Sequence, residues 1–139
     1  LTSGGSEYYW MTINFKFQSI PTLTTSFSSG TGAMNDPYII SSNGDLALSW
    51  SAPKDELGND LTGLEYSLEF FYYDASDSQI GSRRFSNLGT DVYSTTVASS
   101  DIDYYSSSSS VDHVQIDMTA RYAYGDNCAN KIYIKRSSW

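Results

Sequence analysis

The side chains that most often carry chemistry are scarce in this chain, which has one histidine, His113, and one cysteine, Cys128. A Ser-His-Asp triad needs its histidine in a pocket and oriented by a carboxylate. The alternation of residues 111–124 instead places His113 on the solvent side of a strand, with Asp112 on the opposite face. Zinc sites need clustered histidines and cysteines. We therefore expect no catalytic residue and no enzyme activity, and we interpret Cys128 as a turn thiol.

Paired carboxylates would suggest glycoside hydrolysis, and Glu65 and Glu69 share one face of a predicted strand. Four residues of strand separate two side chains by roughly 13 Å. Catalytic carboxyl pairs in glycosidases lie about 5 to 9.5 Å apart. We expect these two glutamates to form a solvated face and to pair with arginines on neighbouring strands, namely Arg83, Arg84 or Arg121.

Aspartates also collect in the predicted turns. Calcium binds six to eight oxygens, which such turns often supply, but the spacing here does not match an EF-hand loop. We expect solvated acidic turns and no cofactor. The alternative interpretation is a structural calcium site whose candidate ligands are Asp74, Asp77, Asp101 and Asp103.

Aromatic residues are the richest feature, with twelve tyrosines, six phenylalanines and three tryptophans. Half of the aromatic residues in a strand are core. A tyrosine in a serine-rich loop, by contrast, offers a rigid contact surface at low entropic cost. Tyr104 and Tyr105 lie in such a loop, and Tyr73 ends a predicted strand. These three residues are the candidate ligand-binding residues, and the expected partner is a protein or a glycan surface.

Period-two alternation, the mark of a strand with one buried and one solvated face, positions these residues. Leu46, Leu48 and Trp50 alternate with small polar residues. The same pattern predicts strands over residues 37–41, 46–50, 64–73, 80–85, 91–98, 111–124 and 129–135. Asn43-Gly44 predicts a hairpin between the first two, because this dipeptide suits a tight turn. The fold class is an all-β, antiparallel two-sheet sandwich.

A further strand is predicted over residues 9–17, ahead of a Ser/Thr/Gly-rich connection at 22–36. We expect the connection either to drape over a sheet edge or to link this strand to a separate unit. The strand either adds an edge within its own domain or completes the sheet of a second copy, as in strand-addition assembly. Its apolar face makes it a candidate assembly strand, formed by Tyr9, Met11, Ile13, Phe15 and Phe17.

The net charge of −8 disfavours nucleic-acid binding, which depends on lysine and arginine contacts to phosphate. No apolar run approaches the roughly 20 residues that span a bilayer, so we expect no membrane insertion. The surface, rich in serine, threonine and tyrosine, favours an extracellular or cell-surface location. Because the chain starts at Leu1, we expect a processed protein or a piece of a longer one.

Residues 45–53 (DLALSWSAP) combine alternating apolar residues, a tryptophan and a nearby proline. This segment resembles the second strand of a fibronectin type III domain. Leu61-Thr62-Gly63 before the next long strand is similar to the approach to the third. The family's sixth strand is matched by Ile116, Met118 and Ala120, and the turn after that strand is matched by Gly125. The resemblance covers residues 37–136 and implies an extracellular adhesive or spacer module without catalysis.

The sequence departs from that family in three places. Val114 stands where the family has a tyrosine early in its sixth strand. Ile102-Asp103-Tyr104 and a serine run replace the usual Leu-x-Pro corner. The strand predicted at 9–17 has no counterpart in the family. A generic immunoglobulin-like sandwich therefore remains open.

These observations predict three segments: residues 1–36 with the first strand and its connection, a fibronectin type III-like sandwich at 37–136, and a tail at 137–139. The expected function is adhesion or structural assembly of a larger surface protein or fibre, with self-association through the N-terminal strand if that strand completes the sheet of a second copy rather than of its own domain. The alternative is a carbohydrate-binding module that uses exposed tyrosines.

Overall fold

The computed structural model describes residues 23–24, 29–40, 44–85, 88–106, 110–122 and 127–137. Within these ranges the chain is all-β apart from one short helix, as the alternation predicts. The strands are β1 Leu23–Thr24, β2 Tyr38–Ile40, β3 Leu46–Trp50, β4 Glu65–Tyr73, β5 Gln79–Phe85, β6 Ser94–Val97, β7 His113–Arg121 and β8 Asn127–Arg136, and the helix, α1, is Ser99–Ile102.

The strands form two sheets, one of three strands in the order β1-β3-β6 and one of five strands in the order β2-β8-β7-β4-β5. In the larger sheet β4, β7 and β8 pair antiparallel, so that Phe70, Ile116 and Ile132 lie side by side across the sheet. Each of these side chains is buried. Fully burying one such side chain contributes about 1.5–3 kcal/mol, so this row is a main source of stability.

The smaller sheet contributes its apolar face to the same core. Leu46, Leu48 and Trp50 of β3 are buried and belong to one cluster with the buried residues of β4, β7 and β8. Across the two sheets the rings of Trp50 and Tyr66 lie 5.6 Å apart between their centroids. Two sheets that bury one common core are compatible with a β-sandwich.

The hairpin predicted at Asn43-Gly44 is wrong. β2 pairs in parallel with β8, with Ile40 opposite Arg136, while β3 lies in the other sheet between β1 and β6. A tight hairpin would have placed the two strands side by side. Placing them in opposite sheets lets Ile40 and Leu46 enter the core from opposite layers, and this burial outweighs the local turn preference. The sheet of five is therefore mixed rather than antiparallel throughout.

The described part of the connection at 22–36 makes backbone contacts with both sheets. β1 pairs with β3 through Leu23 opposite Trp50, and Ser29 forms a bridge to Ile39 of β2. Farther along, the backbone amide of Tyr133 in β8 donates to the carbonyl of Gly32 at 2.9 Å. The predicted assembly strand, residues 9–17, lies outside the described residues.

The largest local departure from the predicted strands and loops is α1 with the turn that follows it. Ile102 is fully buried and anchors the helix in the core. The backbone amide of Ser99, at the start of the helix, donates to Oδ1 of Asp45 at 2.8 Å. This external carboxylate satisfies a helix-end amide that the preceding Ala98 cannot cap. Serine and aspartate at these positions had predicted only a loop.

A buried arginine ties the end of β8 to this helix. The side chain of Arg136 is 0% exposed, and its Nε and Nη2 donate to the two carboxylate oxygens of Asp103 at 2.7 and 3.0 Å. Nη2 also donates to Oγ of Ser99, and Nη1 donates to the carbonyl of Gly44, at 3.1 and 3.0 Å. A two-pronged arginine–carboxylate pair is among the strongest and most directional polar contacts.

Replacing Arg136 with alanine should lower the free energy of unfolding by about 2–4 kcal/mol, because it leaves a partly buried carboxylate without its guanidinium. Urea denaturation followed by circular dichroism measures this loss. The matched control is Arg84→Ala, which removes an exposed pair with Glu69 at 3.0 Å and should cost less than about 1 kcal/mol. Equal losses in the two variants would contradict the structural role given to Arg136.

Candidate functional site

Tyr104 presents the candidate binding ring. It lies in the turn after α1 and is 55% exposed. The turn is closed by Ser106, whose backbone amide and Oγ both donate to the carbonyl of Asp103 at 2.9 and 2.7 Å. Because Arg136 holds the side chain of the same Asp103, the residue that carries the ring is attached to the core on its N-terminal side.

Arg83 of β5 packs against this ring. Its guanidinium carbon lies 4.2 Å from the centroid of Tyr104, within the range of a cation–π contact, which contributes about 0.5–1 kcal/mol at exposed sites. Nη1 of Arg83 donates to Oδ1 of Asp101 at 2.8 Å. The guanidinium is therefore fixed from two sides, and it holds the ring of Tyr104 against the protein.

The ring of Tyr105 contacts both the ring of Tyr104 and a tyrosine of the core. The two rings meet edge to face with centroids 5.0 Å apart, and the ring of Tyr105 lies 4.9 Å from that of buried Tyr72. A methyl group on Gly81 would meet the Tyr105 ring at 2.5 Å, so the missing side chain of this strand glycine provides the space for the ring. The hydroxyl of Tyr105 donates to the carbonyl of Ser82 at 3.3 Å.

Tyr72 links this surface to the core. Its ring is fully buried, and its hydroxyl donates to the backbone carbonyl of Asp101 at 2.7 Å. Burial raises the pKa of Tyr72, so the hydroxyl keeps its proton and remains a donor. The side chains of Tyr104, Tyr105, Arg83 and Asp101, supported by Tyr72, form what we call the Tyr104 platform.

Tyr73, the third predicted binding residue, lies elsewhere. Successive residues of a strand face opposite sides of the sheet, so Tyr73 is on the face opposite Tyr72 and its platform contacts. Its ring stacks on His113 with centroids 5.3 Å apart. Burial raises the pKa of Tyr73, and the nearby Tyr133 and Asp117 add to this effect. The structure brings together two of the three predicted residues.

Sequence reasoning did not anticipate Arg83 in the platform. Arg83 had been grouped with the arginines expected to pair with Glu65 and Glu69. Those glutamates pair instead with Arg121 and Arg84, at 3.9 and 3.0 Å. The available signal was strand phase, because Arg83 pairs in register with the core residue Phe70 and so faces the inner side at the end of the sheet.

The four candidate calcium ligands are dispersed in the structure. Asp101 pairs with Arg83, and Asp103 pairs with Arg136. Asp74 closes its own turn, because its Oδ1 accepts the amides of Ser76 and Ser78 at 2.8 and 3.0 Å, and Asp77 faces His113. Among the residues that the structure describes, no group of three or more His, Cys, Asp or Glu is arranged to hold a metal ion.

The prediction that His113 faces solvent is wrong. The residue is only 7% exposed, because Tyr73 covers one face of its ring and Tyr133 of β8 lies nearby, with centroids 6.3 Å apart. Asp112 precedes the strand and does not follow its alternation. Its Oδ2 lies 2.9 Å from Nδ1 of His113. The backbone of Cys128 lies within β8 rather than in a turn, and its side chain is outside the described residues.

Neither the models of known protein families nor the curated proteins contain a match to this chain. In the described part of the chain, no helix has the length and apolar character needed to cross a membrane.

Gly81→Ala should lower the free energy of unfolding by about 1–3 kcal/mol, the range for overpacking, because the new methyl group displaces the Tyr105 ring. In a Tyr105→Ala background the same change should be neutral or slightly stabilising, since alanine loses less entropy than glycine in a strand. Urea denaturation of the four proteins in this double-mutant cycle gives the coupling energy. A coupling near zero would contradict the packing of Tyr105 on Gly81.

Proposed function

We propose that this chain is a non-enzymatic, extracellular module of the fibronectin type III-like or immunoglobulin-like kind, which acts in adhesion or in the assembly of a larger surface protein or fibre. The Tyr104 platform is its contact surface. The observation that carries the proposal is an exposed tyrosine ring held in place by Arg83 and Tyr105.

The strand order supports this architecture. In immunoglobulin-type sandwiches the first, second and fifth strands share a sheet that faces the third, sixth and seventh. Here β3, which carries the second-strand resemblance, lies between β1 and β6. β4 and β7, which correspond to the third and sixth strands, are direct neighbours, and β8 follows β7. β2 adds a parallel strand beside β8.

The chain lacks the tyrosine that the fibronectin type III family carries early in its sixth strand. Immunoglobulin-type folds use that tyrosine to bond the backbone a few residues upstream. Val114 occupies its place, and in the register of the sheet it lies opposite Tyr72. The hydroxyl of Tyr72 donates to the carbonyl of Asp101 in the connection before β7. A tyrosine on the neighbouring strand thus reaches the same region of the fold.

Rigidity makes the Tyr104 platform suitable for contact. A ring that is already fixed loses little side-chain entropy on binding, whereas a mobile side chain loses about 0.5–1.5 kcal/mol. Arg83, Tyr105 and the turn at Asp103 restrain Tyr104 before any partner arrives. Exposed, preorganised tyrosines are typical anchors of binding surfaces.

The segment at residues 9–17 supplies the assembly half of the proposal. Its alternating pattern suits strand addition, in which an extended segment pairs with an exposed sheet edge of another copy. Among the described strands, the larger sheet ends in β2 and β5 and the smaller sheet ends in β1 and β6, and the end strands of a sheet are where an added strand would pair. Self-association through this segment would join modules into a fibre.

Carbohydrate binding is the second candidate function. The Arg83–Asp101 pair beside Tyr104 is about one-third exposed and presents charged donors and acceptors next to an aromatic ring. A sugar can stack on the ring and hydrogen-bond to such a pair through its hydroxyl groups. This chemistry requires no metal at the platform.

Tyr104→Ala should weaken binding at least about tenfold, as for the truncation of an aromatic anchor. The test uses a glycan array and the aggregation of beads coated with the chain. Tyr104→Phe, which keeps the ring, should retain binding. Leu57→Ala is the surface control, because Leu57 is 82% exposed in a different loop.

Loss on the array alone would favour the carbohydrate function, and loss in the bead assay alone would favour adhesion between copies. If Tyr104→Ala abolishes binding in neither assay, or if the unaltered chain binds in neither, the platform is rejected as the contact surface.

Deleting residues 1–21 should abolish concentration-dependent assembly, measured by sedimentation velocity, because the deletion removes the segment at 9–17 that the sequence predicts as a strand. Deletion of residues 1–6 is the control and should leave assembly unchanged. Assembly that survives the longer deletion would contradict the strand-addition proposal. A longer deletion that lowers the melting temperature of a monomeric chain would show instead that the strand pairs within its own domain.

A further inference from the structure

Both ring nitrogens of the buried His113 lie within ion-pair distance of a carboxylate. Nδ1 lies 2.9 Å from Oδ2 of Asp112, and Nε2 lies 3.3 Å from Oδ1 of Asp77. A neutral imidazole has one N–H and one lone pair, whereas an imidazolium has two N–H groups. Only the charged ring can present a proton to both carboxylates.

The groups around this ring decide which carboxylate a neutral His113 would keep. The other oxygen of Asp112 accepts a hydrogen bond from Nζ of Lys135 at 3.0 Å. The hydrogen bonds from His113 and Lys135 hold the pKa of Asp112 below its ordinary value. Asp112 is therefore a well-anchored acceptor for Nδ1–H. Asp77 is 59% exposed, so its carboxylate can turn into water when Nε2 carries a lone pair.

Among the described residues, two tyrosine rings are the remaining neighbours of His113. Tyr73 of β4 stacks on one face of the ring, and Tyr133 of β8 lies beside it. Phenol groups ordinarily ionise near pH 10, and burial raises the pKa of Tyr73 further. Histidine is the side chain that ordinarily changes charge between pH 5 and 8. The ring is thus the group whose protonation decides the contact with Asp77.

Asp77 belongs to the turn between β4 and β5, and its backbone is in a left-handed conformation with φ of 62°. A non-glycine residue adopts this conformation at some cost in energy, although aspartate tolerates it better than most residues. The backbone of the turn is closed by Asp74, which donates its amide to the carbonyl of Ser78 at 3.0 Å. The contact with His113 adds a side-chain attachment between this turn and the start of β7.

We propose that His113 and Asp77 form an acid-closed latch, which holds the β4–β5 turn against β7 when the ring is protonated and releases it when the ring is neutral. The charges support this direction. With the ring charged, Lys135 balances Asp112 and His113 balances Asp77. With the ring neutral, the carboxylate of Asp77 faces a lone pair in a chain whose net charge is already −8.

The test is a pH titration from about pH 5 to 8, followed by NMR of the His113 ring protons and of the backbone amides at residues 74–78. The ring and the turn amides should titrate with a common midpoint. Hydrogen exchange of the turn amides, corrected for its intrinsic pH dependence, should be about two- to fivefold faster when the ring is neutral, the size expected for one exposed ion pair.

Asp77→Asn is the deciding variant, because asparagine keeps the shape and tolerates the left-handed backbone. The His113 ring should still titrate but with its midpoint at lower pH, and the exchange of the turn amides should no longer follow it. Asp60→Asn is the matched control, because it removes a carboxylate of similar exposure, 61%, which pairs with Lys54 in a different loop, and it should behave as the unaltered chain.

Three results would overturn the latch. The first is a turn whose amides ignore the titration of His113 in the unaltered chain. The second is an Asp77→Asn variant with an unchanged ring midpoint. The third is a turn response that disappears in excess EDTA, since the latch requires no metal.

Discussion

A buried guanidinium must be fully paired, and this requirement organises one end of the molecule. Arg136 ends β8 inside the protein, where an unpaired charge would cost several kcal/mol. Its partners include Asp103, Ser99 and Gly44, to which the guanidinium donates hydrogen bonds. These partners come from two separate stretches of chain, so the charge of one residue joins the helix after β6 and the turn that ends it to the segment before β3. Tyr104 follows Asp103 directly and takes its position from this arrangement.

The elements that a local pattern specifies were predictable from the sequence. The alternation of apolar residues predicted β3 with its bounds, and β4, β5 and β7 within a few residues, because a strand with one buried face repeats every two residues. It also placed Leu46, Leu48 and Trp50 on one face of their strand, and that face is buried. The pairing of strands was less predictable. Asn43-Gly44 is a good turn dipeptide, yet β2 and β3 lie in different sheets, because sheet membership depends on long-range burial that no local signal records.

In the candidate site, too, the features set by a local pattern were predictable and those set by long-range packing were not. Serine-rich surroundings correctly pointed to Tyr104 as an exposed ring, and Tyr105 came with it as its sequence neighbour. The partners that hold them, Arg83 and Gly81, come from a strand some twenty residues earlier in the sequence, and only the packing of α1 over the end of the sheet brings them together. The prediction that His113 is exposed to solvent was wrong for a different reason. Its strand phase was assigned correctly to the outer face, but that face is not uniformly solvated, since Tyr73 and Tyr133 cover the ring.

At the end of β4, the two faces of the larger sheet carry tyrosines with different structural roles. Tyr72 and Tyr73 are adjacent, and the pleat directs them to opposite faces. Tyr72 bonds the backbone at Asp101 and supports the platform, whereas Tyr73 stacks on the ring of His113. A one-residue shift in the register of β4 would exchange these roles and direct both rings away from their partners. The long antiparallel pairing of β4 with β7, from Glu65 opposite Arg121 to Tyr73 opposite His113, prevents that shift. The register that builds the core therefore also determines which tyrosine serves the platform and which one covers the histidine.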